Sequence, residues 1–234
     1  MKLPMIFWPA VVLVLAMAAS LVYNGYLWPN AWFAGGYSVQ GIDVSHHQNQ
    51  IDWSLVSRSG KVKFAYIKAT EGQDFTDHRF TSNWTGASEA GVLKGAYHYF
   101  TITSSGIQQA RHFIATVPPE SGCLAPMVDI EESGLTKIKF KRELTDFIKA
   151  VEAHYGQKPV IYVVYPLYEQ YIKGEFTDCP IWIRDVVMPP HIPDQRKWVF
   201  WQYSHRGHIP GIPTFVDLNV VAGDGAALRN LIHP

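Results

Sequence analysis

The sequence predicts an α/β chain: one (β/α) barrel of eight strands, preceded by a single transmembrane or signal helix. Three observations predict it. Short apolar, β-branched runs recur from residue 41 to residue 220, and the earlier ones alternate with helical periodicity. That pattern implies parallel strands joined by right-handed crossovers. Several of the runs end in acidic or polar aromatic residues, as barrel strands do where they deliver side chains to an active face. Finally, residues 3–42 contain no Asp, Glu, Lys or Arg. No Gly-rich phosphate loop follows any strand, which argues against an open doubly wound sheet.

Composition narrows the function classes. Of 234 residues 47% are hydrophobic, enough for a large buried core and too many for a disordered chain. Twenty basic residues balance twenty acidic ones, so nothing favours a polyanion and no nucleic-acid partner is expected. The aromatic content suits a core as well as a groove that stacks on sugar rings. Cys123 and Cys179 lack metal-ligand spacing; one disulfide and two free thiols are both compatible with the sequence. The histidines at 46, 47, 98, 205 and 208 include no His-x-x-x-His helix, and His205 and His208 sit in a Gly/Pro loop. A metal site wants three or four ligands at close quarters, so neither metal nor cofactor is expected.

At the amino end, Met5 to Tyr23 is almost wholly apolar and near the ~20 residues needed to cross a bilayer. Lys2 precedes it, and Tyr23, Tyr26, Trp28 and Trp32 follow as an aromatic belt would. The run reads as an uncleaved anchor, with the rest of the chain at the membrane but outside the cytoplasm, in the periplasm or at the cell exterior. Ala16-Met17-Ala18 also has the form of a signal-peptide cleavage site, which would make the product secreted. The expected organisation is a helix over 1–23, a tether rich in Gly, Asn, Pro and aromatics over 24–40, and a barrel over 41–234.

Along the barrel, Gly41–Ser45 is the first strand, and Asp52 is a candidate N-cap for a short helix at Trp53. Phe64–Ala69 is the second strand, followed by a helix from Phe80 that Gly91 stops. Leu93–Phe100 is the third, and Ile107–Thr116 is helical until Pro118-Pro119. Ala125–Glu132 holds the fourth strand. Ile138–Tyr155 carries Phe140, Leu144, Phe147, Ile148 and Val151 at helical spacing and ends at Gly156. Strands five to eight follow at Pro159–Tyr165, Pro180–Asp185, Trp198–Tyr203 and Phe215–Val220. Pro/Gly-rich loops join the last three, with little room for helices.

The fourth strand carries the chemistry. Side chains alternate on a strand, so Asp129 and Glu131 share a face while Ile130 opposes them. Carboxylates placed together at the end of an apolar strand are costly unless a site uses them, and mutual repulsion holds one of them protonated. An Asp that merely caps the next loop is the plain alternative. The strand ends add Asp43, Glu71, His98, Tyr165, Asp185, Gln202 and Asp217, a convergence hard to explain as solvated surface.

These segments resemble the glycoside hydrolase family 25 lysozymes, the Chalaropsis and cellosyl-type N-acetylmuramidases. The similar stretches are GIDVSHHQNQIDW (41–53), FAYIKATEGQDFTDHRF (64–80), AGVLKGAYHYF (90–100), PMVDIEE (126–132), IYVVY (161–165), IWIR (181–184), FWQYS (200–204) and GIPTFVDLNVVAG (211–223). The resemblance implies a TIM-like barrel with eight strands and about five helices. It implies hydrolysis of the β-1,4 bond between N-acetylmuramic acid and N-acetylglucosamine in peptidoglycan. By position it implies Glu131 as general acid, Asp129 as its charge-stabilising partner, and Asp43 and Asp217 as the other active-site acids. Glu71, Tyr97, His98, Tyr162, Trp182, Gln202 and Tyr203 are candidate substrate-binding residues. Each has a structural alternative: turn chemistry for Glu71, a satisfied core histidine for His98, rim packing for the others. The sixth strand departs from the family's Trp-Ile-Ala pattern with Arg184-Asp185, a pair that would close part of the groove or bind a peptide-stem carboxylate. A monomer is expected. A membrane-anchored, non-catalytic peptidoglycan-binding barrel is the alternative, and its mark would be loss of one of the four acids.

Overall fold

The computed structural model describes residues 7–223 and 225–233. Nine strands form one closed sheet with an added flap. They are β1 (Gln40–Val44), β2 (Phe64–Glu71), β3 (Phe75–Thr76), β4 (Leu93–Tyr99), β5 (Met127–Ile130), β6 (Val160–Val164), β7 (Ile181–Arg184), β8 (Phe200–Gly207) and β9 (Val216–Val221). The order β1-β9-β8-β7-β6-β5-β4-β2 closes through a β1–β2 pairing, and β3 is a two-residue hairpin partner of β2 that the sequence reading did not contain.

Each pair from β1 round to β8 is parallel, as expected. The closing strand corrects that expectation, since β9 runs antiparallel to both β8 and β1. The cause is length: a parallel return needs a crossover of a dozen or more residues, whereas the short Pro/Gly loop between Gly207 and Val216 permits only a hairpin-like reversal.

The helices are α1 (Phe7–Tyr23), α2 (Pro29–Ala34), α3 (Trp53–Arg58), α4 (Phe80–Glu89), α5 (Gly106–Thr116), α6 (Lys137–Tyr155), α7 (Tyr165–Leu167) and α8 (Ala226–Arg229). Their ends follow local chemistry. Asp52 Oδ1 accepts the Leu55 N–H at 3.0 Å, Thr136 caps α6, and Gly156 closes α6 in the left-handed region at φ 70°. No helix separates β7 from β8 or β8 from β9.

Strand alternation builds two cores. Ile42, Ala65, Ile67, Val128, Ile130, Ile161, Val163 and Ile183 point outward and pack under the helices. Phe64, Tyr66, Met127, Val160, Trp182, Phe200 and Val221 fill the barrel's lower interior. Glycines make room for these rings: a Cβ on Gly41 would lie 2.5 Å from the Phe64 ring, and one on Gly95 2.7 Å from Tyr66. Cys123 and Cys179 are buried free thiols, so of the two readings the unbridged one holds.

The amino-terminal segment is bound to the barrel. Trp28 Nε1 donates to the Tyr203 carbonyl at 2.7 Å, His208 Nε2 contacts the Asn24 carbonyl at 2.7 Å, and Asn30 is wholly buried. Tyr26 stacks on His208, Tyr37 meets Trp198 and Trp201, and Ala34 packs with Trp201, Tyr203 and Val220. The seventeen residues of α1 rise about 25 Å, short of the ~30 Å hydrocarbon core. Among the described residues no helix is long and apolar enough to cross a membrane. Met5 and Ile6, which the sequence reading counted in the span, lie outside the described residues.

Candidate active site

Above the aromatic floor the barrel interior turns polar. Asp43 on β1, Asp129 on β5 and Asp217 on β9 share the inward face of their strands, and Glu131 stands just beyond β5. All four carboxyl groups line one cleft of about 200 Å³. The reversal of β9 is what delivers Asp217 there. It lies near the start of its strand and pairs in register with Asp43; in a parallel strand that position would face the opposite end of the barrel.

The acids differ in environment. Burial, then the neighbouring Asp217, pushes the Asp43 carboxyl well above the usual carboxylate range, while Asn219 Nδ2 donates to its Oδ2 at 2.7 Å. Burial raises Asp217 to about 6, against the opposing pull of a hydrogen bond from Gln202, of one with Asp43, and of the Arg184 charge. The contact between the two carboxyl groups raises Asp43 and lowers Asp217. Asp129 is raised well above its usual range by burial first and by the Glu131 charge second. Its Oδ1 is buried without a hydrogen-bond partner. Glu131 is solvent-exposed, and the Tyr162 hydroxyl lies 3.3 Å from its Oε1 and 2.5 Å from Gln202 Oε1. The cleft therefore holds one exposed carboxyl group beside three half-buried ones.

Tyr97 and Tyr162 line the cleft as expected. Gln202 is 2% exposed and holds Tyr162 and Asp217, which makes it a positioning residue beneath the surface. Glu71 sits one step back: it ion-pairs with Lys68 at 2.7 Å, and Lys68 lines the cleft in its place.

Three expected contacts are corrected, two by strand alternation and one by depth. His98 opposes Tyr97, so it faces the helix layer, fully buried. Its Nδ1 lies 2.8 Å from Thr70 Oγ1 and its Nε2 3.0 Å from Gln109, it stacks on Phe147, and burial lowers its pKa to about 3. It is a satisfied core histidine. Trp182 faces inward but lies in the floor, fully buried against Phe200 and Tyr66, where no substrate reaches it. Tyr203 faces outward, under the amino-terminal segment. The Arg184-Asp185 pair is not a pair: Asp185 Oδ1 accepts the backbone N–H groups of Val187 and Met188, at 3.0 and 2.9 Å.

Sequence reading missed Asn219 and Lys68. Asn219 shares the inward face with Asp217, so the Asp-x-Asn spacing on a strand was a usable signal. Lys68 is the lone charge within an apolar strand, which a buried functional cation would explain. Sequence reading also missed a His46–Asp77–His78 cluster whose donor atoms lie within 4.8 Å of one another. These residues could approach a cation. Asp77 already accepts His46 N at 2.9 Å, His46 Nδ1 at 2.7 Å and Arg79 N at 2.8 Å, an arrangement that anchors the loop after β1.

Comparison with known proteins agrees with this geometry. The family model described as glycosyl hydrolases family 25 matches residues 42–212. Escherichia coli YegX, a protein described as uncharacterized, is 38% identical over 201 residues, covering 84% of this chain and 74% of its own. Lysozyme M1 of Streptomyces globisporus is 35% identical over 211 residues, covering 83% and 71%. The solved structure of a family 25 glycosyl hydrolase from Bacillus anthracis is 38% identical and superposes with a TM-score of 0.78, over 83% of this chain and 93% of that one. The match runs from the first barrel strand through the hairpin loop before β9, and on that extent the chain belongs to glycosyl hydrolases family 25 and is a glycoside hydrolase.

Proposed function

We propose that this enzyme is a peptidoglycan hydrolase that cleaves the β-1,4 bond between N-acetylmuramic acid and N-acetylglucosamine. The observation that carries this reading is the division of labour among the acids: an exposed Glu131 beside a half-buried Asp129 whose Oδ1 is buried and unpartnered. Glu131 is the general acid, protonating the leaving glycosidic oxygen as the C–O bond breaks. Positive charge then develops at the anomeric centre, and Asp129 stabilises it there or on the substrate's acetamido group. Its vacant Oδ1 is a ready acceptor for an acetamido N–H. Asp43 and Asp217, paired in register across β1 and β9, line the same cleft. Lysozyme M1, by its name, supports this substrate class.

The test is mass spectrometry of muropeptides after incubating the purified full chain with peptidoglycan. New reducing-end muramic acid is the expected product, absent with Glu131→Gln. Reducing glucosamine ends would mean a different bond, and co-sedimentation without cleavage would mean a binding barrel.

We also infer that the apolar α1 tethers the barrel to a membrane, outside the cytoplasm. Leu13 and Leu15 are exposed to 72% and 64%, and Trp32 to 88%, along a stretch without charge. Cell fractionation checks this: recovery in the membrane fraction is expected, and release of a shortened protein into the medium would mean a cleaved signal.

A further inference from the structure

Arg184 departs from the family pattern, and the structure isolates it. It ends β7 on the same inward face as Trp182, beside Gln202 and Val164 in the neighbouring strands. Its expected partner is turned away, since Asp185 caps the next turn with its side chain. The Asp185 carbonyl is also taken, by Asn30 at 2.9 Å and by Trp201 at 2.7 Å, which fixes this corner of the mouth. Among the described residues the Arg184 side chain has no hydrogen bond or ion pair. It is only half-buried, and its charge is felt across the mouth at Asp217.

The cleft's other cation, Lys68, is already paired with Glu71, so Arg184 is the unpaired guanidinium at this mouth, and an unpaired guanidinium is poor design for a neutral sugar. It is good design for an anion, because its planar fork matches a carboxylate in bidentate geometry. We propose that Arg184 recognises a free carboxylate carried by the glycan strand and so sets which walls this enzyme prefers. The inference rests on the muramidase reading above. Peptidoglycan offers this chemistry from two sources: the lactyl group of a muramic acid stripped of its peptide, and the acidic residues of an attached stem peptide.

The experiment uses the full chain and four substrates. Intact and peptide-stripped peptidoglycan are each used as the free acid and after carbodiimide amidation with ammonia. The wild type is expected to cleave one free-acid form with about tenfold higher kcat/KM than its amidated counterpart, the size of one charge-assisted contact. Arg184→Ala should bring that ratio to about one through KM, and Arg184→Lys should restore part of it. A preference confined to intact wall identifies the stem peptide, and one confined to stripped wall identifies the lactyl group. A wild-type ratio near one on both walls overturns the proposal. So does a loss in Arg184→Ala that is equal on free and amidated wall, which would mean Arg184 acts only through Asp217. Co-sedimentation of Glu131→Gln protein with the same four walls reads the ratio without turnover. A wild type that cleaves none of them therefore fails the muramidase reading while the Arg184 preference is still measured.

Discussion

The lower and upper halves of the barrel interior are built from the same strands and differ completely. Below, Phe64, Tyr66, Trp182 and Phe200 interlock in T-shaped and tilted pairs with ring centroids 4.8–6.4 Å apart. Above, two residues further along their strands, stand Asp43, Asp129, Tyr162 and Gln202, while the reversed β9 brings Asn219 and Asp217 from two and four residues before Val221. The aromatic floor excludes water, and water is what lets a carboxylate ionise at its ordinary pKa. Burial is accordingly the leading cause of the raised values of Asp43, Asp129 and Asp217. The floor therefore contributes to stability directly and to chemistry at one remove, whereas the mouth gives up stability for chemistry.

That contrast can be broken at either end. The largest effect is expected for Glu131→Gln, which should lower turnover by about 10²–10⁴-fold. Its melting temperature should stay near wild type, because the side chain is exposed; a matched fall in both would remove the residue from catalysis. Next comes Trp182→Ala in the floor, expected to cost about 3–5 kcal/mol in urea unfolding. Residual activity should fall only as far as the folded fraction does.

The third prediction concerns pH. Asp217 titrates at about 6 in the folded chain against an ordinary 3.8. The folded state thus binds this proton more tightly, so the stabilisation is complete at low pH and is lost as pH rises from about 4 through about 6. The loss is on the order of 3 kcal/mol. Melts of wild type and Asp217→Asn across that window should diverge, with the flatter curve belonging to the variant. The smallest effect is expected for His98→Leu, which leaves Thr70 Oγ1 without its partner and removes one contact of Gln109, and should cost about 1–3 kcal/mol. Gln109 keeps its bonds to Thr101 and Ser104, so the loss is local; kcat/KM should not change, and a specific loss of activity there would return His98 to the site.

Much of this was legible in the sequence, for identifiable reasons. Helices α4, α5 and α6 and seven of the eight barrel strands carry strong periodicity and plain stop signals, and their bounds fall within a few residues of expectation. Asp43, Asp129 and Glu131 followed from strand ends alone. What failed was direction and depth. Alternation separates Tyr97 from His98, but a sequence does not say which face is the barrel's inside when both faces are buried. Trp182 lies on the correct face at the wrong height, since height depends on stagger between strands. The split of Arg184 from Asp185 depended on a turn whose backbone donors were invisible beforehand, and the docking of residues 24–37 on a tertiary surface.

The reversed last strand also fixes when the enzyme can exist. Asn219 and Asp43, which meet across the final seam, are 176 residues apart in the chain. Every pairing in the ring from β1 to β8 can form before β9 emerges from the ribosome, but the two seams that β9 makes cannot. Asp43 therefore waits for its partners across the β1–β9 seam until β9 has been made, and that strand completes the cleft. A chain released early has a floor, helices and a general acid, and no closed mouth in which to use them.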